Sequence, residues 1–124
     1  TPPSKRASIN DLFDFKNYTE EQYDSIVKWK TAFYSFCLPI QSALYLVKID
    51  DRQVHKKCQE ITLRMGYYFQ IQDDYLDCYG DPKITGKVGT DIEESKCSWL
   101  IVTALKKANS SQLETLKVNI FFKI

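Results

Sequence analysis

Along most of the chain, apolar residues recur at intervals of three and four, which is the spacing of an amphipathic α-helix. The first such stretch follows Thr19, which can form a capping box with Gln22. The pattern continues beyond Pro39 to about Val47. We therefore predict one long helix that Pro39 kinks but does not end.

A second long helix is predicted over residues 52–78, with Asp50 or Asp51 as its N-terminal cap. Gly66 costs about 1 kcal/mol relative to alanine inside a helix, so it indicates close packing at that point. The residues predicted to form the buried stripe of this helix are Val54, Cys58, Ile61, Met65, Tyr68 or Phe69, Gln72 and Leu76.

The remaining predicted elements are shorter. Residues 79–91 are rich in glycine and proline and predict a loop, and residues 92–108 predict a helix with apolar markers. Ser111 and Glu114 fit a second capping box, before a last helix that ends near Val118. No stretch of useful length alternates like a β-strand, so the predicted fold class is all-α, with antiparallel helices.

The chain has 124 residues, enough for one modest domain with a core. We expect a poorly ordered N-terminal segment over residues 1–17, a helical domain over residues 18–118 and an atypical tail over residues 119–124.

Charge and cysteine usage exclude several classes of protein. Seventeen Lys and Arg against sixteen Asp and Glu argue against a broad surface for nucleic acid. No apolar run reaches the ~20 residues of a membrane span, and no signal peptide is visible. The four cysteines form no CxxC pair and the only histidine, His55, has no ligand-spaced partner, so we expect reduced thiols and no zinc site. We predict a cytoplasmic location, with an organellar form as the alternative.

Three carboxylates, Asp73, Asp74 and Asp77, fall near the end of the second long helix. Together with Gln70 they occupy about 100° of its circumference. Like charges at this spacing repel by roughly 0.2–0.5 kcal/mol per pair, and the helix dipole opposes each anion there by about 0.3–1 kcal/mol. A cation would offset both costs, and carboxylates without nearby thiols or imidazoles suit Mg²⁺ or Mn²⁺. A solvated acidic helix end is the alternative.

Lysines flank this cluster in the sequence. Residues 86–91 form a flexible loop that carries Lys87 and Asp91, and Lys96 follows shortly after. Lys30 falls within the apolar period of the first helix, so its ammonium must either extend to solvent or meet an anion. The loop alone could be an ordinary turn. Taken together, the lysines and aspartates indicate a Mg²⁺–diphosphate site between helices.

Over roughly residues 18–118 the chain resembles the trans-isoprenyl diphosphate synthases, the farnesyl diphosphate synthase family of prenyltransferases. The segments that carry the resemblance are residues 30–35, Gly66 with residues 69–77, residues 80–82, residues 85–91 and residues 96–99.

The resemblance implies a fold, a reaction and partners. The fold would be a partial isoprenoid-synthase helical bundle with a deep central cavity. The reaction would join isopentenyl diphosphate head to tail to an allylic diphosphate, dimethylallyl or geranyl diphosphate, with Mg²⁺ or Mn²⁺ assisting ionisation. The complete enzyme would be a homodimer with no nucleic-acid partner and no membrane span.

The resemblance also implies residue roles, which fall into metal-binding, diphosphate-binding and cation-facing groups. Mg²⁺ would be held by Asp73 and, less directly, by Asp74 and Asp77, with Asp91 ordering metal-bound water. The leaving diphosphate would be neutralised by Lys30, Lys87 and Lys96. The developing allylic cation would meet Thr31 and Gln70, in an apolar cavity lined by Tyr34 and Phe69. The catalytic group would be Lys30, Thr31, Gln70 and Lys87.

The sequence also departs from the family pattern. The family uses two aspartate-rich motifs on facing helices, and this sequence carries only the second. Residues 119–124 do not resemble the family's continuation, so we expect an incomplete chain with little activity. Two alternatives stay open: a terpene synthase derived from the same family, and a non-catalytic module that pairs with a full-length synthase.

Overall fold

A computed structural model describes residues 15–121 of the chain, and over that range it contains helices, turns and no β-strand. The elements in chain order are a 3-10 turn Phe15–Asn17, α1 Glu20–Val27, a π-helix Lys28–Cys37, α2 Leu38–Leu46, α3 Arg52–Tyr79, α4 Pro82–Thr85, α5 Trp99–Lys107 and α6 Ser110–Phe121. The all-α prediction is confirmed. Most of the expected N-terminal segment lies outside the described residues. The expected tail is described over residues 119–121, where α6 continues to Phe121, past the predicted end near Val118.

The first long helix begins where the capping box predicts. The Gln22 amide donates to Thr19 Oγ1 at 3.1 Å, and the helix continues past Pro39 through α2 without a break. The middle section is a π-helix, in which the Leu38 amide donates to the Phe33 carbonyl five residues back. The sequence pattern did not predict this change of winding, which rotates the side chains of the section relative to an α-helix.

The second long helix, α3, also has the predicted bounds. Asp51 caps it, because its Oδ1 accepts from the Gln53 amide at 2.7 Å and from the Val54 amide at 3.4 Å. At the other end, the Gly80 amide donates to the Leu76 carbonyl at 2.8 Å.

The prediction of which face of α3 is buried was wrong. Most of the expected stripe is exposed, and Met65 and Tyr68 keep 53% and 69% of their surfaces. Gln72 is exposed as well. The buried positions of α3 instead form a line with a spacing of four: Thr62, Gly66, Gln70 and Asp74. Gly66 and Gln70 of this line contact the π-helix, and at Gly66 the two backbones come too close for a large apolar side chain. Asp74 instead reaches the start of α5.

Gly66 makes that close approach possible. A Cβ at this position would lie 2.3 Å from Ala32 Cα and 2.6 Å from Ala32 Cβ. The expectation of tight packing at Gly66 is therefore confirmed, and Ala32 of the π-helix is the partner.

The apolar core lies between α1, α3 and α5. Tyr23 and Val27 of α1 are buried with Val102 of α5, and Tyr67 and Ile71 of α3 pack against them. The Tyr23 and Tyr67 rings meet edge to face with centroids 5.8 Å apart, and the Tyr67 hydroxyl donates to Asp24 at 2.6 Å.

The connection before α5 also differs from the prediction. The helix expected over residues 92–108 begins only at Trp99, because a turn with Ser95 at φ 54° occupies the preceding residues. The second capping box was misplaced by two residues. Asn109 and Gln112 cap α6 by exchanging two hydrogen bonds, of 2.9 and 3.0 Å.

In residues 15–121, none of the helices combines the length and the apolar character that a bilayer crossing requires.

The contact between Gly66 and Ala32 gives a stability prediction. We expect Gly66→Ala to lower the free energy of unfolding by about 1–3 kcal/mol, because the added methyl overpacks the contact. Helix propensity alone would change stability by about 1 kcal/mol in the opposite direction. Urea unfolding followed by circular dichroism measures the difference. Glu60→Ala, an exposed change on the same helix, is the control, and a stabilised Gly66→Ala would contradict the prediction.

Candidate functional site

The predicted site residues come from three parts of the fold: the π-helix, the C-terminal half of α3 and the segment that leads to α5. A small cavity of about 130 Å³ lies where these parts meet. Its polar lining includes Tyr23, Lys30, Gln70, Asp74, Asp91, Lys96 and Ser98. A larger apolar cavity of about 380 Å³ lies between the 3-10 turn, α5 and α6, and Lys96 is the one predicted site residue that lines it.

Asp73 is the most accessible of the three aspartates. Its side chain is 44% exposed, and Oδ1 lies 3.4 Å from Lys87 Nζ. The Asp73 carboxylate is also the main cause of a raised pKa of Lys87, which keeps that ammonium charged. Such a pair can bind a metal ion through the carboxylate and the accompanying phosphate oxygens through the ammonium.

Asp77 is held by the loop that folds over it. Only 8% of its side chain is exposed, and its Oδ2 accepts from the Asp91 amide at 2.9 Å. Gly89 allows this contact, because a Cβ at that position would lie 1.6 Å from the Asp77 carbonyl oxygen. Lys87 Nζ lies 3.7 Å from Asp77 Oδ1, so one ammonium faces two of the aspartates.

Asp74 points into the protein and is only 4% exposed. Its Oδ1 accepts from Gln70 Nε2 at 2.8 Å, and its Oδ2 accepts from the Trp99 amide at 2.7 Å. The Trp99 amide is one of the N–H groups at the start of α5 that have no partner within that helix. Ser98, the N-cap residue, provides no side-chain cap, so Asp74 caps α5 from another helix.

Thr31 and Gln70 meet in the interior. The Thr31 hydroxyl donates to Gln70 Oε1 at 2.5 Å, and both residues are buried. The π-helix and α3 are thus joined by a side-chain hydrogen bond one turn beyond the Gly66 contact. The exposed Lys30 is next in sequence to Thr31 and lines the small cavity.

Lys96 and Asp91 form an ion pair on the loop side of the cavity. Lys96 Nζ lies 3.0 Å from Asp91 Oδ1 and 2.8 Å from Glu94 Oε2. Hydrogen bonds to Glu94 and then to Asp91 raise the pKa of Lys96. Lys96 therefore already has two anionic partners, unlike Lys30, for which the described part of the chain contains no ion pair.

Tyr34 and Phe69, predicted to line an apolar cavity, are 60% and 51% exposed. The Phe69 ring packs against Phe36 with centroids 5.5 Å apart. Both aromatic side chains are therefore available on the surface of the described bundle.

Tyr23 was missed as a site residue. Its ring is buried, and its hydroxyl lies beside the Asp74 carboxylate but makes no well-formed hydrogen bond within residues 15–121. Burial and the nearby Asp74 carboxylate both raise the pKa of this phenol, so the hydroxyl keeps its proton. Its position in the apolar period of α1 indicated only a core residue, and no signal in the sequence pointed to Asp74.

The carboxylates of this site can hold a hard divalent cation only if a bound substrate supplies further oxygen atoms. Within residues 15–121, no group of three or more His, Cys, Asp or Glu side chains is arranged to hold a metal ion. Mg²⁺ commonly binds proteins through one or two carboxylates and completes its shell with waters and substrate phosphates. The open Asp73, next to Lys87, matches that mode.

Comparisons with known proteins identify the family of the chain. The polyprenyl synthetase family profile matches residues 6–122. Farnesyl pyrophosphate synthases from Gallus gallus and Homo sapiens are each 55% identical to the chain over 106 residues, which is 86% of this chain and 29% and 25% of those proteins. The chain therefore spans less than a third of the length of these relatives.

Solved structures give the same result. Unliganded T. brucei farnesyl pyrophosphate synthase superposes with a TM-score of 0.77 at 43% identity, over 90% of this chain and 34% of that one. The T. brucei enzyme complexed with homorisedronate gives 0.78 at 41% identity, over 94% and 35%. The chain belongs to the polyprenyl synthetase family.

The loop contact at Gly89 can be tested directly. We expect Gly89→Ala to speed hydrogen exchange of the Asp91 amide at least about tenfold, because the new methyl cannot fit against the Asp77 carbonyl. Gly86→Ala is the control: it places alanine at φ 74°, a strained angle, but its Cβ contacts nothing within 4 Å. Equal exchange rates in the two variants would contradict the predicted contact.

Proposed function

We propose that this member of the polyprenyl synthetase family provides the diphosphate-binding and magnesium-binding wall of a trans-prenyltransferase. The reaction joins isopentenyl diphosphate head to tail to dimethylallyl or geranyl diphosphate. The observation that supports it best is the Asp73 carboxylate, which is 44% exposed, lies 3.4 Å from Lys87 Nζ and is next to the buried Asp74. The same surface thus offers an anion to a metal and a cation to a phosphate.

The metal ion proposed is Mg²⁺, with Mn²⁺ as the alternative. Asp73 is the proposed direct ligand. Asp74 and Asp77 act less directly, because their oxygens already accept hydrogen bonds inside the protein. Asp91 is proposed to order metal-bound water. When bound, the metal ion neutralises negative charge on the diphosphate as the carbon–oxygen bond breaks.

The lysines act on the same leaving group. Lys30 and Lys87 are proposed to bind the diphosphate oxygens, and Lys96 contributes from its pair with Asp91. Fixed positive groups aimed at a site where negative charge develops need no reorganisation during the reaction, which makes them effective.

The carbon skeleton of the substrate is proposed to lie on the other side of the site. Thr31 and Gln70 face the allylic cation, and Tyr34 and Phe69 form part of an apolar wall that keeps water away from it. The large exposed areas of these two rings support this role, because an apolar wall must be accessible to its ligand. The complete enzyme is proposed to be a cytoplasmic homodimer, with an organellar form as the alternative.

Metal-dependent binding gives the first test. We expect Asp73→Asn to weaken binding of a bisphosphonate in the presence of Mg²⁺ at least about tenfold, measured by calorimetry. Glu93→Gln removes an exposed carboxylate of the nearby turn and is the matched control. Equal affinities in both variants would contradict the assignment of Asp73.

The second test measures the condensation of the two diphosphate substrates. Because the 124 residues alone are expected to catalyse little, residues 18–118 should replace the matching part of the Gallus gallus enzyme. We expect this chimera to convert isopentenyl and geranyl diphosphates to farnesyl diphosphate, and Asp73→Asn within it to lower kcat at least about a hundredfold. Terpene hydrocarbons formed from farnesyl diphosphate alone would instead favour a derived terpene synthase. Activity unchanged by Asp73→Asn would contradict the mechanism.

A further inference from the structure

The larger of the two cavities has no role in the proposed function. It has a volume of about 380 Å³ and lies between the 3-10 turn, α5 and α6. Cavities that bind small molecules usually measure about 300–1,000 Å³, and they combine apolar walls with a few polar groups. The volume of this cavity therefore suits a small organic ligand.

The walls of the cavity are joined by contacts between segments distant in sequence. Phe15, Tyr18 and Ser95 all line it. The Tyr18 hydroxyl donates to the Ser95 carbonyl at 2.8 Å, which ties the 3-10 turn to the segment before α5. The Phe15 ring packs against the Tyr18 ring, with centroids 5.8 Å apart. A ligand would thus enter a preformed space, as ligands of most such cavities do.

Apolar side chains form most of the lining. They include Tyr79, Ile92, Leu100, Ile101, Leu116 and Ile120. Two of them, Tyr79 and Ile92, keep 66% and 47% of their surfaces exposed. Covering this surface with a hydrocarbon chain would remove it from water, which is favourable.

Two polar side chains of α5 line the same cavity without partners of their own. Thr103 and Lys107 are four residues apart, so they lie on one face of the helix. In the part of the chain that the structure describes, neither side chain makes a hydrogen bond or an ion pair. Lys106, by contrast, pairs with Glu20 at 2.7 Å and does not line the cavity. A carboxylate could accept hydrogen bonds from both the Thr103 hydroxyl and the Lys107 ammonium.

The charges around the cavity favour a ligand with a single negative charge. Lys96 also lines the cavity, but its ammonium already faces Asp91 at 3.0 Å and Glu94 at 2.8 Å. These two carboxylates would repel an anion placed at that end. Lys107 is therefore the lining residue whose positive charge remains uncompensated, and one ammonium matches a carboxylate better than a diphosphate.

We propose that this cavity binds a medium-chain fatty acid, with its carboxylate on Thr103 and Lys107 and its tail along α5 toward Leu100 and Ile101. Lys107 is exposed, so the head group lies at the mouth of the cavity while the lysine stem covers apolar surface. α5 has nine residues. Its length of about 14 Å suits an extended tail of about ten carbons. The inference does not depend on the proposed function, because Lys96 is the one residue of that site that lines this cavity.

Calorimetry with the full chain and decanoate, without Mg²⁺, tests the head group. We expect one decanoate to bind per chain with a Kd below about 100 μM. Lys107→Gln should weaken binding at least about fivefold, because it removes the charge that faces the carboxylate. Lys106→Gln is the matched control, one residue away and outside the cavity, and should stay within about twofold of the unaltered chain.

Decanol, which has the same tail without the charge, separates the contribution of the head group from that of the tail. We expect it to bind more weakly than decanoate and to bind Lys107→Gln as well as it binds the unaltered chain. Thr103→Val keeps the shape of the side chain but removes its hydroxyl. This variant should also bind decanoate more weakly than the unaltered chain does.

NMR of methyl groups locates the ligand. Decanoate should shift the signals of Ile101 and Leu116 saturably, whereas those of Val27, which is buried in the core and does not line the cavity, should stay in place. The same shifts in Asp73→Asn would show that the site is independent of the proposed metal site.

Each of three results would overturn the proposal. If decanoate causes no saturable shift below its micelle concentration, another part of the chain or a second copy fills the cavity. Equal decanoate affinities of Lys107→Gln and the unaltered chain would remove the head-group contact. Decanol binding as tightly as decanoate would mean that the cavity accepts any apolar chain. None of these measurements involves a diphosphate or a metal ion, so this proposal and the proposed function can fail separately.

Discussion

The site depends on how closely the π-helix approaches α3. Gly66 leaves room for Ala32, and one turn farther along α3 the same approach lets the Thr31 hydroxyl reach Gln70 at 2.5 Å. Larger side chains at this contact would move the two backbones apart and break the Thr31–Gln70 hydrogen bond, because hydrogen bonds weaken steeply once their geometry is lost. From Gln70 the hydrogen bonds continue to Asp74, and from Asp74 to the Trp99 amide at the start of α5.

Structural features that a few neighbouring residues determine could be predicted from the sequence. The caps at Thr19 and Asp51, the length of α3 and the close packing at Gly66 were predicted correctly, since each depends on short-range geometry. The aspartates and Lys87 were also recognised as neighbours, because helical spacing and a short glycine-containing loop leave them few other arrangements. Their roles in binding remain proposals.

The buried face of α3 could not be predicted from apolar periodicity. That pattern ranks positions by hydrophobicity, whereas the contact with the π-helix selects small residues and polar residues with partners. Thr62, for example, is buried because its hydroxyl donates to the Cys58 carbonyl of its own helix at 2.7 Å. Apolar periodicity also gives no signal for the π-winding. The start of α5 at Trp99 involves a contact distant in sequence, the bond from the Trp99 amide to Asp74.

That last bond has a consequence for how the protein can change over evolution. One carboxylate both caps α5 at the Trp99 amide and holds the Gln70 amide, so the stability of α5 and the orientation of Gln70 are not independent traits. A substitution at position 74 would have to satisfy both demands at once. The exposed Asp73 has only one of these demands to meet, because a new side chain there would alter ligand binding without disturbing the start of a helix.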